Sequence, residues 1–290
     1  MTSLPLSTAD TAALLGRPAP LSIDGRGGAP GAGRIAVPIG TLRIDRRLNG
    51  PRHRANGGFA AGAIARHIDA DIVTVILRRG IRLNRELDVV GDARGGARVL
   101  DGRRLVAQAH PGRIDRSPLP AAPQFADALA ARSAHPLAGM RHPLSDCVVC
   151  GPHRADGMHV TPGFVPGRPH MLAAPWVVDG RDSVGGRAPF AAVWAAMDCT
   201  SYPADALRDR VLCLLGTMTA AVERRPRVGE RLVVYSWTRE QRGRRHETSV
   251  ALVDAAGAVV ARADTTWVAL RHQRLHAWRM RPGRADRAPY

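Results

Sequence analysis

Residues 57 to 90 read GGFAAGAIARHIDADIVTVILRRGIRLNRELDVV, and their pattern indicates how the chain folds. Small residues and Phe59 open the stretch, and an alanine-rich helical segment follows. An apolar run then alternates over residues 73 to 77, which is the period of a half-buried strand. After a break at Gly80 a second strand begins. The stretch therefore predicts one helix followed by antiparallel strands.

The same order returns at residues 200 to 234, TSYPADALRDRVLCLLGTMTAAVERRPRVGERLVV, where Tyr202 takes the place of Phe59. Further on, VLDGRRLVAQA (99 to 109) matches LVDAAGAVVARA (252 to 263), and both contain the Asp and Gly of a hairpin turn. We interpret the two copies as a duplication of one unit, with a period far longer than that of a solenoid.

The strands predicted in the second copy are unusually long. They cover residues 212 to 223, 231 to 241, 246 to 254 and 258 to 270. The helix of the first copy is built from small residues, namely Ala60, Ala61, Gly62, Ala63 and Ala65. Long antiparallel strands with small residues opposite them predict a sheet that curls around the helix and buries one face on it.

Composition places the chain among globular proteins. It has 290 residues, 45% of them apolar and 23% charged, which excludes wholesale disorder. All 42 basic residues are arginine, and 25 acidic residues leave a net charge of +17. Aromatic residues make up only 4% and do not alternate with basic ones. We interpret the charge as an arginine-coated surface and expect no nucleic-acid partner, the alternative being an arginine-rich nucleic-acid binder.

Proline and glycine divide the chain into five parts. We expect a flexible leader at 1–33, a first unit at 34–112, a Pro-rich linker at 113–143, a second unit at 144–271 and a basic tail at 272–290. Residues 125 to 132 inside the linker are predicted to form a short helix. No apolar run is long enough to cross a membrane, and no signal peptide is visible. We therefore expect a cytoplasmic protein without a membrane partner.

Four segments, in this order, carry a resemblance to a known superfamily: residues 56 to 62, residues 147 to 151 with Gly157, residues 194 to 199, and the closing strand, residues 261 to 270. With them the chain resembles the hotdog superfamily, and specifically the double-hotdog, thioesterase-like proteins. The resemblance implies an α+β fold, a tandem hotdog of two antiparallel sheets, each wrapped around a central helix. It further implies that the units pair edge to edge into one continuous sheet.

The resemblance also implies a function. An acyl-thioester site would lie between the two units, at the N-terminus of a central helix, and would take acyl-CoA or another acyl thioester. A homodimer of the two-unit chain is a further expectation. We expect an acyl-CoA thioesterase that uses water as the nucleophile. The alternative is a non-catalytic acyl-CoA or lipid-binding protein of the same fold, and a hydratase is disfavoured.

Asn56, Gly57 and Gly58 are candidate catalytic residues at the start of the first helix. Asn56 is predicted to cap the helix, because its side-chain oxygen can accept from a first-turn N–H. Glycine allows a ligand to approach the backbone closely, and the free N–H groups would polarise a thioester carbonyl. The alternative is a glycine turn that only caps the helix.

Asp198 is the candidate general base. We place it just before the second helix, which Thr200 or Ser201 would cap and in which Pro203 suits the first turn. The alternative is an acidic residue that only favours the helix dipole. The resemblance would also imply an Asp or Glu about two turns along the helix that begins with the glycines, where this chain has Arg66 and His67. Other residues expected to contact substrate are His53, Phe59, Thr200, Ser201, Tyr202 and Asp205.

Cys147 and Cys150 form a CxxC pair followed by glycine. Zinc needs four ligands, and the spacing of Cys199 and Cys213 does not complete such a set. Half of a zinc knuckle, a redox pair and a buried turn all remain open, and we favour the buried turn. The sequence therefore predicts neither a metal ion nor a cofactor.

Overall fold

The computed structural model describes residues 37–138, 140–142, 144–152, 154–181, 183–273 and 281–282. The predicted leader and most of the predicted basic tail lie outside these residues. Among the described residues, no helix is both long and apolar enough to cross a bilayer.

The two halves of the chain contribute five and six strands to the same sheet. The first half contains β1 (Val37–Leu42), β2 (Ile72–Leu77), β3 (Leu87–Gly91), β4 (Ala97–Asp101) and β5 (Arg104–Pro111). The second contains β8 (Arg168–Val177), β9 (Cys213–Val222), β10 (Arg231–Arg242), β11 (Arg245–Val253) and β12 (Val259–Ala269), preceded by the short β7 (Gly163–Val165). The four long strands predicted from the sequence are thereby confirmed within a residue or two.

All eleven strands form one antiparallel sheet in the order β1-β3-β4-β5-β2-β9-β12-β11-β10-β8-β7. Apart from β7, the strand order of one half mirrors that of the other. The halves join where β2 pairs with β9, from Ile72 opposite Ala221 to Ile76 opposite Thr217. The two sheets that the resemblance implies are therefore one continuous eleven-stranded sheet, as the expected edge-to-edge pairing requires. Without this pairing, β2 and β9 would be edge strands with unpaired backbone N–H and C=O groups. Their hydrogen bonds to each other pair these groups.

Two helices pack against each other across this junction, α1 (Gly57–Ala65) and α3 (Phe190–Thr200). The second central helix was predicted after residue 200, but it lies before that point, as α3. Residues 200 to 210 contain only α4 (Ala204–Arg208), a single short turn of helix. The error has a physical cause: every residue from Ala191 to Asp198 is buried, so α3 lacks the polar face that reveals a helix in a sequence.

The Pro-rich segment contributes a layer of its own. The helix predicted there is confirmed as α2 (Phe125–Ser133), which packs on β7, β8 and β10. Along β10, Val234 belongs to the main core, whereas Val233 and Tyr235 belong to the cluster that contains Ala128 of α2. The sheet of the second half is therefore covered on both faces, which explains its long uninterrupted apolar strands. A short pair of β6 (Met140–Arg141) and β13 (Arg281–Pro282) lies apart from the main sheet.

Candidate active site

The two central helices meet closely at the glycines of α1. A Cβ atom at Gly58 would lie 2.6 Å from Ala195 Cα and 2.6 Å from Asp198 Cβ. One turn later, a Cβ atom at Gly62 would lie 2.7 Å from Ala191 Cα. A side chain does not fit at such short distances, so both of these positions, where α1 contacts α3, require glycine. This contact brings the start of α1 against the last turn of α3.

Asp198 is a buried carboxylate in that last turn, with 3% of its surface exposed. Its Oδ2 accepts hydrogen bonds of 2.8 Å from the Gly58 N–H and of 2.8 Å from Asn56 Nδ2. Its Oδ1 is also buried and has no hydrogen-bond partner in the described part of the chain. One oxygen is thus tied to the start of α1, and the other is left as an unused acceptor.

Asn56 caps α1, as the sequence predicts. Its Oδ1 accepts a hydrogen bond of 2.9 Å from the Phe59 N–H. The Gly58 N–H is bound to Asp198, whereas the Gly57 N–H has no partner among the residues that the structure describes. The positive end of the helix dipole therefore carries one free donor, at Gly57.

Burial raises the pKa of Asp198 to about 7. Loss of solvation is the largest cause, and the hydrogen bond from Gly58 opposes it. Cys147 raises the pKa further, and the hydrogen bond from Asn56 lowers it. A carboxyl group with a pKa near neutrality can take up and release a proton, as a general acid or base must.

Ser201 and Thr200 lie at the end of α3, where they cap no following helix, so that part of the prediction is wrong. Ser201 Oγ donates to the Asp198 carbonyl at 2.8 Å and accepts from Trp267 Nε1 at 3.1 Å. Thr200 Oγ1 is buried and has no partner within the described residues. Both residues are buried, and among the described residues neither hydroxyl forms a hydrogen bond with the Asp198 carboxylate.

The remaining predicted residues do not gather around Asp198. Phe59 is part of the apolar core, and Tyr202 lines a mostly apolar cavity. His53 is exposed. Asp205 lies near the surface, where it forms an ion pair of 2.5 Å with Arg208.

A cavity of about 90 Å³ lies beside the end of α3. Cys199, the residue after Asp198, forms part of its wall, together with Tyr202, Leu207 and Trp267. The lining is mostly apolar, which suits an acyl chain. His142 also lines the cavity, and burial lowers its pKa to about 4, so this imidazole is neutral at physiological pH.

Three thiols converge next to the carboxylate. The Sγ atoms of Cys147, Cys150 and Cys199 all lie within 4.8 Å of one another. Cys199 is 52 residues from Cys147, so sequence spacing could not associate it with the CxxC pair. The fourth cysteine, Cys213, belongs to a separate apolar cluster.

Comparison with solved structures finds this fold in thioesterase-type proteins. The tesB protein of Mycobacterium avium subs paratuberculosis matches with a TM-score of 0.52 and 13% identity, over 81% of this chain and 96% of that one. A candidate thioesterase of Novosphingobium aromaticivorans DSM 12444 gives 0.53 and 13%, over 82% and 100%. A candidate thioesterase II of Thermobifida fusca YX gives 0.50 and 16%, over 81% and 95%.

No protein-family model and no curated protein sequence matches the chain. The identities to the solved structures are low, so the likeness concerns the fold. The mirrored strand order and the paired central helices agree with it. The chain therefore shares its fold with these solved structures, in agreement with the resemblance of its sequence to double-hotdog proteins.

Proposed function

We propose that the protein hydrolyses acyl thioesters, with acyl-CoA as the substrate class and Asp198 as the general base. One observation carries the proposal: a buried carboxylate is held by one oxygen at the N-terminus of a central helix, between the two halves. Its other oxygen has no partner. The thioesterase-type structures that share the fold support the same reaction class.

Each group then has a defined role in the reaction. Asp198 Oδ1 removes a proton from water as the water oxygen bonds to the thioester carbon. The free Gly57 N–H donates to the carbonyl oxygen and stabilises its developing negative charge. The carbon–sulfur bond breaks, and the leaving thiolate takes the proton from Asp198. The products are a carboxylic acid and a free thiol. Asn56 and the Gly58 N–H are positioning groups, because their hydrogen bonds hold the base in place.

The carboxylate is the first group to test. We expect Asp198→Asn to lower kcat/KM for acyl-CoA hydrolysis by about 100-fold or more, because an amide cannot accept the proton. The substitution preserves size, and Asp209→Asn, which removes an exposed carboxylate eleven residues away in the chain, is the matched control. Release of free thiol from a panel of acyl-CoAs measures both variants. Equal turnover by the wild-type protein and Asp198→Asn would remove the proposed mechanism.

A second candidate is a non-catalytic acyl-thioester binding protein. The observation in its favour is that Asp198 already occupies the Gly58 N–H, which leaves one free first-turn donor instead of two. Such a protein would be stabilised against heat by acyl-CoA and would release no thiol. Thermal shift and turnover, measured on the same samples, separate the two functions.

A further inference from the structure

One of the three distances between the clustered thiols equals that in a zinc site, and the other two are at most 4.8 Å. Zinc binds thiolate sulfur at about 2.3 Å in a tetrahedral arrangement, and two such sulfurs stand about 3.8 Å apart. The Sγ atoms of Cys147 and Cys199 are 3.8 Å apart, and Cys150 Sγ lies within 4.8 Å of both. The three sulfurs thus already approximate one face of a zinc tetrahedron.

The loop that carries the CxxC pair is fixed by its backbone. The Gly151 N–H donates to the Cys147 carbonyl at 2.8 Å, and a Cβ atom at Gly151 would lie 2.5 Å from that oxygen. The two residues between the cysteines are bound to a neighbouring segment. The Val148 carbonyl accepts from the Met158 N–H at 2.7 Å, and the Val149 carbonyl accepts from the Val160 N–H at 2.8 Å. Glycine after the second cysteine therefore permits a tight turn that aims both thiols the same way.

A polar donor lies beside two of the three sulfurs. Asn56 Nδ2 lies 3.7 Å from Cys147 Sγ and 3.8 Å from Cys199 Sγ. Hydrogen-bond donors around a thiolate orient it and offset its charge, which is the usual surrounding of a metal-bound cysteine. The Asn56 amide, which also donates to Asp198 Oδ2 at 2.8 Å, thus places a hydrogen-bond donor beside two of the three sulfurs.

We propose that Cys147, Cys150 and Cys199 bind one zinc ion as thiolates, with the fourth coordination position facing the cavity beside α3. Cys150 and Cys199 both line that cavity, so a water molecule can reach the metal from there. Zinc is favoured because thiolates select soft metals, and a three-thiolate set with one open position is a zinc arrangement. The proposal is independent of thioester hydrolysis.

A disulfide is the competing use of these thiols. It joins two sulfurs at about 2.05 Å and requires an oxidant to accept two electrons. It would leave the third cysteine unpaired. Titration of free thiols in the protein purified without reductant tests this alternative: four reactive thiols after unfolding in the presence of a chelator exclude the disulfide, and two overturn the zinc proposal.

Metal content is the decisive measurement on the full chain. We expect one zinc per chain by elemental analysis after gel filtration. Cys147→Ser and Cys199→Ser are each expected to reduce this at least tenfold at the same free zinc concentration. Cys213→Ser is the matched control, because Cys213 is buried and free but lies outside the cluster, and it should keep the full zinc content.

Cobalt gives a readout that does not depend on how the variants fold. The wild-type protein, stripped with a chelator and loaded with Co²⁺, should show the visible bands of tetrahedral cobalt and a thiolate-to-cobalt charge-transfer band. Cys213→Ser should give the same spectrum. A wild-type protein that binds no zinc and gives no charge-transfer band overturns the proposal, as does a Cys199→Ser variant that binds zinc like the wild type.

Discussion

Gly58 is the residue on which the contact between the central helices depends. Its missing side chain lets Ala195 and the Asp198 Cβ approach its Cα, and the same closeness lets its N–H reach the Asp198 carboxylate. The packing of the two helices and the hydrogen bond to Asp198 thus both require glycine at position 58. The sequence interpretation assigned this glycine to close approach by a substrate. In the folded chain, helix α3 occupies that space.

Gly58→Ala tests this contact. The added methyl group would lie 2.6 Å from backbone and side-chain atoms of α3, so the helices must separate. We expect a loss of about 3 kcal/mol in the free energy of unfolding, as for an overpacked core. Gly180→Ala is the control, because its Cβ atom would meet only Val228 at 3.5 Å. Urea unfolding measures both variants, and equal midpoints would contradict a tight helix crossing.

At the scale of elements, the sequence predicts strands better than it predicts α3. The strands β9 to β12 are bounded by turns with visible glycines, and their long apolar runs leave no other assignment. α3 has neither a capping side chain nor a polar face. Ser201 and Pro203, which resemble a helix start, follow its end. Asp198 was therefore placed just before a helix, whereas it lies in the last turn of α3.

Sequence patterns act over a few residues, which explains why the long-range contacts of the site were not predicted. The N-cap of Asn56 acts over three residues, so its position predicts it. The bond between Asn56 and Asp198 spans 142 residues, and the contact of Cys147 with Cys199 spans 52. No spacing motif covers such separations. The first depends on the contact between α1 and α3 and the second on a turn that reaches the end of α3, and only the folded chain reveals either.

The turns at one end of the second half are connected by Arg224, which binds Glu230 at 2.6 Å and Asp254 at 2.8 Å. The hydrogen bond from Arg224 lowers the pKa of Glu230 below its ordinary value of 4.5. A carboxyl group whose pKa is lowered on folding stabilises the folded state above that ordinary value. The stabilisation is lost as the pH falls through the lowered value. These turns should therefore weaken in acid.

Glu230→Gln measures this effect. At neutral pH we expect the variant to unfold with about 1 kcal/mol less free energy than the wild type, since a charged hydrogen-bond partner is lost. The difference should shrink as the pH falls below 4.5. Glu240→Gln, in a more exposed ion pair on β10, should change stability little at any pH. A difference between Glu230→Gln and wild type that is constant with pH would contradict the ionic origin.

At the scale of the whole molecule, the two halves share a sheet and a core. β2 and β9 pair over five residues, and the Thr74 and Thr219 hydroxyls meet across the junction at 2.8 Å. One apolar cluster includes residues of both halves, among them Val99 and Leu232. Neither half can unfold without exposing part of the other's core. We therefore expect a single cooperative unfolding transition.

The distribution of tryptophan makes this expectation testable, because all five tryptophans lie at or after Trp176. Val99→Ala creates a cavity in the first half, where the valine is fully buried, and should cost about 2 kcal/mol. If the halves unfold together, tryptophan fluorescence, which reports only the second half, will shift by the same amount as far-ultraviolet circular dichroism. Val37→Ala, at a valine 57% exposed in the same half, should shift neither signal. A dichroism midpoint that moves while the fluorescence midpoint stays would mean that the halves unfold independently, and the shared sheet would then contribute little to their coupling.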